Sequence, residues 1–250
     1  KLFLKGVASL NLSDDEVILE HDFFANQLSF STLNLFLTCP RKYYYTKIAG
    51  IKPAKGVAKE LGTKQGNSVH SALFEYYTSE FYKQNNTFDL AVFKEMLAKQ
   101  NLTPLEFEIW THKFKEYEIY ENERLRAGFR VLECEKEVQS EFCGVQIKGF
   151  IDRIDADANG DVLILDYKTG EANVNSLQLA FYEALYGGEV RSAYYALKNE
   201  PSLVSSKKSV EDLNGEIEKL KGINKTKINF ERKSGACAFC EYATLCRREL

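Results

Sequence analysis

The chain has 250 residues, of which 44% are apolar and 28% are charged, and its formal net charge is −3. This balance is typical of a folded soluble protein and excludes a disordered chain, a collagen-like repeat and a disulfide-dense miniprotein. No run of 18 apolar residues occurs, so we expect neither a membrane-spanning helix nor a membrane partner. The absence of an export signal favours a cytoplasmic location, and the start at Lys1 indicates a piece of a longer protein.

The predicted elements form a helical first half and a strand-rich second half. Ser31 is predicted to cap a first helix that Pro40 bends. Helical periodicity covers residues 32–48, 63–83, 89–100, 104–127 and 174–186, and strand-like alternation covers 131–142, 145–155, 162–168 and 189–197. Residues 157–160 are a predicted hairpin turn. We therefore expect a lead-in segment over residues 1–28 and an α/β domain over 29–250, organised around the mid-chain sheet.

Two aspartates on neighbouring predicted strands are the first candidates for chemistry. Asp166 and Lys168 are two residues apart on one strand, so their side chains point to the same face. If the hairpin turn pairs this strand with the preceding one, Asp152 becomes a cross-strand neighbour of Asp166. Two adjacent carboxylates repel each other unless a cation lies between them, which indicates an Mg²⁺ or Mn²⁺ site. Lys168 would then orient an attacking water and stabilise charge on a phosphate.

Further motifs extend this pair of strands into a longer pattern. In chain order they are Gly66-x-x-x-His70, Gly149-x-x-Asp152-Arg153-x-Asp155, Asp166-Tyr167-Lys168-Thr169-Gly170 and Gln178-x-x-x-Tyr182. Over roughly residues 29–246, this pattern resembles the RecB-like nuclease domains of the PD-(D/E)xK superfamily. The resemblance implies a restriction-endonuclease-like core in which a central mixed sheet is flanked by helices, with a helical region before it.

The resemblance also implies hydrolysis of phosphodiesters with a divalent metal ion. The catalytic residues would be Asp152, Asp166 and Lys168. The ligands of Mg²⁺ or Mn²⁺ would be His70, Asp152, Asp166 and the backbone carbonyl of Tyr167. Gln178 and Tyr182 would border the site or contact nucleic acid. Glu137 is the expected auxiliary acid, with Glu133, Glu135 and Glu141 as competitors.

The cysteines form a second candidate site. Cys237, Cys240 and Cys246 have close ligand spacing, and Cys39 is available as a fourth thiolate. Four thiolates suit either a [4Fe–4S] cluster or Zn²⁺, and spacing alone does not choose between them. The resemblance favours the iron–sulfur cluster, which would close the fold as a staple between the first helix and the tail. Cys134 and Cys143 lie on predicted strands and are expected to be core residues.

A basic, aromatic stretch follows Cys39. Arg41 and Lys42 precede tyrosines at positions 43–45, a combination that suits neutralisation and stacking of single-stranded nucleic acid. The alternative is that these residues pack around the cysteine site.

The sequence thus predicts a metal-dependent DNA exonuclease that acts on single-stranded ends. The likeness is greatest to the C-terminal nuclease domain of AddB-type helicase–nuclease subunits, which implies a helicase partner and a role in double-strand break repair and recombination. The alternatives are a free-standing RecB-like or CRISPR-associated exonuclease, a catalytically silent DNA-binding module of the same fold, and a zinc-binding scaffold.

Overall fold

The computed structural model describes residues 16–52, 57–233, 235, 237 and 240–246. These residues form two compact units, divided at positions 56/57 and 216/217. Residues 1–15 of the predicted lead-in segment lie outside the described residues, and the domain boundary predicted at 28/29 stays a prediction. No helix in the described part of the chain is long and apolar enough to cross a membrane.

A short strand and a run of helices precede the strand-rich second half of the chain. In order they are β1 (Ile18–Glu20), α1 (Phe30–Thr38), α2 (Pro40–Tyr43), a π-helical turn (Tyr44–Ile48), α3 (Val57–Tyr77), α4 (Glu80–Asn85), α5 (Leu90–Ala98), α6 (Pro104–Arg126), β2 (Arg130–Phe142), β3 (Val145–Ala156), β4 (Val162–Lys168), α7 (Gln178–Tyr186), β5 (Arg191–Ala196), β6 (Ser202–Val204), α8 (Val210–Ile223) and β7 (Lys227–Asn229).

The first unit differs from the sequence prediction at its opening helix. Ser29, not Ser31, is the cap, because its side chain accepts a hydrogen bond from the Thr32 N–H at 3.3 Å. The predicted single helix is three short segments, since Cys39 adopts an extended backbone before Pro40, as residues that precede proline usually do. β1 pairs with β7 in a two-stranded antiparallel sheet that the sequence did not reveal, because each strand has only three residues.

The second unit is built on a five-stranded mixed sheet with the order β2-β3-β4-β5-β6. β2, β3 and β4 form the predicted antiparallel meander, and residues 157–160 make the predicted turn, in which the Gly160 N–H donates to the Asp157 carbonyl at 3.0 Å. β4 and β5 are parallel, which requires a crossover connection, and α7 supplies it. The predicted central mixed sheet with flanking helices is confirmed.

Aromatic side chains fill the space between the helical half of this unit and the sheet. The core there combines residues of α3, α5 and α6 with alternate residues of β4 and β5, including Tyr167 and Tyr195. The other face of the sheet packs against α7, whose Leu185 approaches so closely that a Cβ on Gly149 would lie 3.0 Å from it. Because successive strand residues face opposite sides, Asp166 and Lys168 lie on the face opposite to Tyr167.

Four charged side chains are buried on the core face and form one hydrogen-bonded group, which we call the buried charge cluster: Glu121, Arg124, Arg153 and Asp155. Arg153 donates from Nε to Asp155 at 2.6 Å and from Nη2 to Glu121 at 2.6 Å. Arg124 donates to Glu121 at 3.1 Å and to Asp155 at 2.9 Å. Burial alone would raise the pKa of Glu121, but the two guanidinium groups lower it. Two cations therefore balance two anions and join α6 to β3.

Loss of one charge from the buried charge cluster should strongly destabilise the fold. We expect Glu121→Gln to lower the free energy of unfolding by about 3 kcal/mol, because two guanidinium groups would face a single carboxylate in a buried place. Glu116→Gln, on the exposed side of the same helix, should change it by less than about 0.5 kcal/mol. Urea denaturation of the two variants and the wild type measures both values, and equal effects would contradict the assigned role of the cluster.

Candidate active site

The antiparallel register of β3 and β4 brings the two aspartates together. Arg153 lies opposite Leu165, so the next step of this register places Asp152 opposite Asp166. The ladder ends there, and the carboxylate of Asp152 takes over as acceptor, since its Oδ2 receives the Tyr167 N–H at 2.9 Å. The side chain of Asp152 is therefore held at the end of the β3–β4 ladder by the backbone of the neighbouring strand.

His70 reaches this place from α3. Its Nδ1 lies 3.4 Å from Oδ2 of Asp152, and its Nε2 lies 3.1 Å from the carbonyl oxygen of Tyr167. One turn earlier, Gly66 faces Thr169, whose Oγ1 would lie 3.2 Å from a Cβ at that position. The lack of a side chain at Gly66 therefore lets α3 approach the end of β4 closely enough for His70 to reach both groups.

Glu135 is the acid on β2 that joins this group. One ligand atom from each of His70, Glu135 and Asp152 lies within 4.8 Å of the others. Glu135 has φ +49°, a left-handed backbone that is strained for a residue with a Cβ. The structure places the expected auxiliary acid, Glu137, elsewhere, as an exposed residue opposite the exposed Phe150. Alternation along β2 could not choose between Glu135 and Glu137, because both lie on the same face of the strand; the register decides, since Glu135 lies between the pairs Cys134–Arg153 and Lys136–Ile151 and therefore opposite Asp152.

Lys168 and Asp166 are held by α7. Lys168 Nζ lies 2.5 Å from Asp166 Oδ2, and it donates to Oε1 of Gln178 at 2.9 Å. Gln178 donates in turn to Asp166 Oδ1 at 2.8 Å and to the Tyr182 hydroxyl at 3.1 Å. The ring of Tyr194 lies beneath the ammonium group, 5.1 Å from its centroid. The lysine is thus fixed beside the carboxylates by contacts with two elements, β5 and α7.

Burial and mutual repulsion disturb the ionisation of the acids. Burial, followed by the charge of Asp166, raises the pKa of Asp152 well above its ordinary value. The same two causes raise the pKa of Glu135, and burial lowers the pKa of His70. Such shifts occur where charged groups converge without a compensating cation.

The donor set fits a hard divalent cation. It combines carboxylate oxygens, a backbone carbonyl and one imidazole, which suit Mg²⁺ or Mn²⁺. An octahedral ion with ligands at about 2.1 Å holds adjacent ligands about 3 Å apart, close to the 3.1 Å between His70 Nε2 and the Tyr167 carbonyl. A cation here would also relieve the repulsion between the carboxylates.

The cysteine residues and the basic aromatic stretch belong to the first unit. Cys39, Cys237, Cys240 and Cys246 line one small cavity, which Lys42 and Arg232 also border. Arg41 is buried, and its Nε donates to the Phe230 carbonyl at 2.7 Å. Lys42 is paired with Glu241 at 2.9 Å. The side chains of Arg41 and Lys42, which were predicted to contact nucleic acid, therefore have partners within the first unit. Tyr43 and Tyr45 are buried and pack within the same unit.

Comparisons with known proteins agree with this arrangement. Residues 27–247 match the sequence profile of the PD-(D/E)XK nuclease superfamily. The chain belongs to this superfamily. A solved structure from Eubacterium rectale, whose name gives it a provisional exonuclease activity, is similar to this chain. The superposition covers 90% of this chain and 89% of that protein, with 18% identity and a TM-score of 0.51. At this identity the similarity is one of fold. An uncharacterized protein of Rickettsia bellii (strain RML369-C) is 28% identical over 182 residues, which are 68% of this chain and 22% of that relative.

Membership in the PD-(D/E)XK superfamily gives the acidic site its chemical context. Nucleases of this superfamily use divalent metal ions, and the acidic group at His70, Glu135 and Asp152 is a possible metal site. The chain spans about a fifth of the length of the Rickettsia relative, so that protein contains much more than a nuclease domain of this size.

Without a bound cation, the burial of Asp152 and its repulsion by Asp166 should lower the free energy of unfolding of this nuclease domain. Because folding raises the pKa of Asp152, the protonated carboxyl group contributes to the free energy of unfolding. This stabilisation is fully present below the pKa of the unfolded chain, about 3.9, and is lost as the pH rises through the higher pKa of the folded protein. In EDTA at pH 7, we expect Asp152→Asn to raise the free energy of unfolding by about 1–2 kcal/mol. The gain should vanish near pH 4.

Asp157 provides the control of opposite sign. Its carboxylate accepts backbone N–H groups in the hairpin turn and pairs with Arg191, and its pKa is lowered. Asp157→Asn should therefore destabilise the protein at pH 7. Denaturant unfolding of both variants at the two pH values makes the comparison, and a less stable Asp152→Asn protein at pH 7 would refute the predicted cost.

Proposed function

We propose that this domain is a metal-dependent DNA exonuclease that hydrolyses phosphodiester bonds from single-stranded ends. The observation that carries the proposal is the convergence of three acids, one histidine and one lysine at the end of β4. His70, Glu135 and Asp152 come within ligand distance of one another, and Lys168 is held against Asp166. A purely structural cluster would satisfy its charges in pairs, as the buried charge cluster does, whereas this group has more acids than bases.

The residues of the site divide into metal ligands and groups that handle the water and the phosphate. His70, Asp152, Asp166, Glu135 and the Tyr167 carbonyl would hold the cation. When bound, a divalent ion lowers the pKa of a ligated water and stabilises charge on the scissile phosphate.

Lys168 and α7 complete the arrangement. The ammonium group of Lys168 can donate a hydrogen bond to the attacking water or to a phosphate oxygen, and it already lies 2.5 Å from Asp166. Gln178 makes one hydrogen bond to Lys168 and one to Asp166 and so holds the two side chains next to each other. The hydroxyl group of Tyr182, one turn later on α7, accepts a further hydrogen bond from Gln178. The position of the nucleophile therefore depends on α7 as well as on the sheet.

The nuclease is tested with end-labelled single-stranded DNA. We expect cleavage with Mg²⁺ or Mn²⁺ and none in EDTA. Asp166→Ala and Lys168→Ala should each reduce the rate of cleavage at least about 100-fold. The first removes a proposed metal ligand, and the second removes the positive charge that would stabilise the phosphate. Lys198→Ala removes an exposed lysine that is paired with Glu171 and should leave the rate unchanged.

A circular single strand of the same sequence distinguishes exonuclease from endonuclease activity. An exonuclease leaves the circle intact and degrades the linear form. Metal-dependent binding of DNA without cleavage, even with Mn²⁺, would replace the proposal with the silent binding module. Cleavage of the circle would replace exonuclease with endonuclease activity.

We also propose that the four cysteines hold a [4Fe–4S] cluster. They line one cavity, Cys39 and Cys246 are buried, and Lys42 and Arg232 provide positive charge near a group that carries negative charge. Four thiolates suit either a [4Fe–4S] cluster or Zn²⁺, and the resemblance of the motifs to RecB-like nucleases favours the cluster. Since Cys39 and Cys237 are 198 positions apart (237 − 39), such a staple would stabilise the fold by about 5 kcal/mol.

Anaerobic purification and metal analysis test the cluster. The protein should be brown and contain iron and acid-labile sulfide in equal amounts, and Cys240→Ser should lose both. Cys134→Ser changes a cysteine of the second unit that packs against the aromatic core, and it should keep the cluster. One zinc ion per chain and no iron would overturn the assignment.

The proposed context is a larger helicase–nuclease that acts in double-strand break repair and recombination. Two observations support it: the resemblance of the motifs to AddB-type subunits, and the alignment with only 22% of a longer relative. A helicase would supply the single-stranded ends that the proposed reaction consumes.

A further inference from the structure

We propose that Arg153 is a positioning residue for the metal site and acts through the side chain of Tyr167. The inference rests on the proposed function, because it assigns a role in building that same site. Arg153 follows Asp152 directly but points to the core face of β3, where it is fully buried. Its Nη1 donates to the Tyr167 hydroxyl at 3.2 Å. The guanidinium group thus holds the far end of a residue whose backbone belongs to the site.

Tyr167 connects the two faces of the sheet. Its N–H donates to Asp152 Oδ2 at 2.9 Å, and its carbonyl oxygen lies 3.1 Å from His70 Nε2. Its ring packs edge-on against the His70 ring, with centroids 5.7 Å apart. A shift of Tyr167 would therefore move the carbonyl and two other proposed ligand groups at once, so the placement of this one side chain affects most of the donor set.

Arg153 has little freedom to move. Its Nε and Nη2 donate to the two oxygens of Asp155 at 2.6 Å and 2.9 Å, and Nη2 also donates to Glu121 at 2.6 Å. Three fixed contacts leave Nη1 aimed at Tyr167 and, at 3.4 Å, at Tyr117. Groups that orient metal ligands from behind commonly change metal affinity 10–100-fold, and Arg153 occupies such a position.

Two tyrosines that share this arginine provide a matched pair of variants. Tyr167→Phe and Tyr117→Phe each remove one buried hydroxyl that accepts from Arg153, but only Tyr167 has backbone contacts with Asp152 and His70. We expect Tyr167→Phe to bind Mn²⁺ about tenfold more weakly than the wild type, and Tyr117→Phe to bind within about twofold of it. Isothermal calorimetry on the folded, metal-free proteins measures the affinity without relying on cleavage.

Arg153→Lys is the second test, since it keeps the charge but cannot make the forked contacts with Asp155 and Tyr167 together. It should also weaken Mn²⁺ binding about tenfold. Equal Mn²⁺ affinity in the wild type, Tyr167→Phe and Arg153→Lys would overturn the inference and leave the proposed nuclease intact. Equal losses in Tyr167→Phe and Tyr117→Phe would overturn it as well, because a general loosening of the core would explain both. A wild type that binds no Mn²⁺ would overturn the proposed metal site and this inference together.

Discussion

The burial of two arginines and two acids beneath the central sheet is the constraint on which the second unit depends. A guanidinium group loses its hydration inside a protein and is tolerated only where carboxylates and hydroxyls replace it. Arg153 meets this condition with contacts from three directions, which requires α6, β3 and β4 to lie in fixed positions. The buried charge cluster therefore joins α6 to β3 and, through the Tyr167 hydroxyl, to β4.

The abundance of tyrosine in this unit follows from the same constraint. The chain has 14 tyrosines and 17 phenylalanines. Tyr77 and Tyr195 donate to the two oxygens of Glu121, at 3.0 Å and 2.9 Å, while their rings lie within the aromatic core. A phenol has an apolar body and a polar tip, so it can fill the core and still satisfy a buried charge. Phenylalanine at these positions would remove one donor from each oxygen of Glu121 and leave each with its arginine alone.

The sequence predicted the meander and its aspartates well because local rules determine them. Alternation with period two fixed the faces of β3 and β4, and the turn at residues 157–160 fixed their register, which brings Asp152 to Asp166. Alternation could not choose Glu135 over the expected Glu137, because residues an even number of positions apart share one face of a strand and all four candidate acids of β2 do so. The sequence left open whether Arg41 contacts nucleic acid or packs within the fold, because its burial depends on a carbonyl 189 positions away, at Phe230. A periodic pattern of apolar residues reports local structure and cannot predict a contact between residues so far apart in the sequence.

The pairing of β1 with β7 affects how the protein can be made. The backbone of residues 18–20 can form its strand hydrogen bonds only after residues 227–229 have been synthesised. On the ribosome, all of the second unit, residues 57–216, is synthesised in that interval, and its contacts are available while the first unit still lacks residues 217–250. The segment that contains β1 is therefore ordered only after residues 227–229 have been made. A chain translated only as far as the second unit leaves Phe23 without Asn224, whose side chain accepts the Phe23 N–H in the finished fold, and exposes this segment to chaperones and proteases.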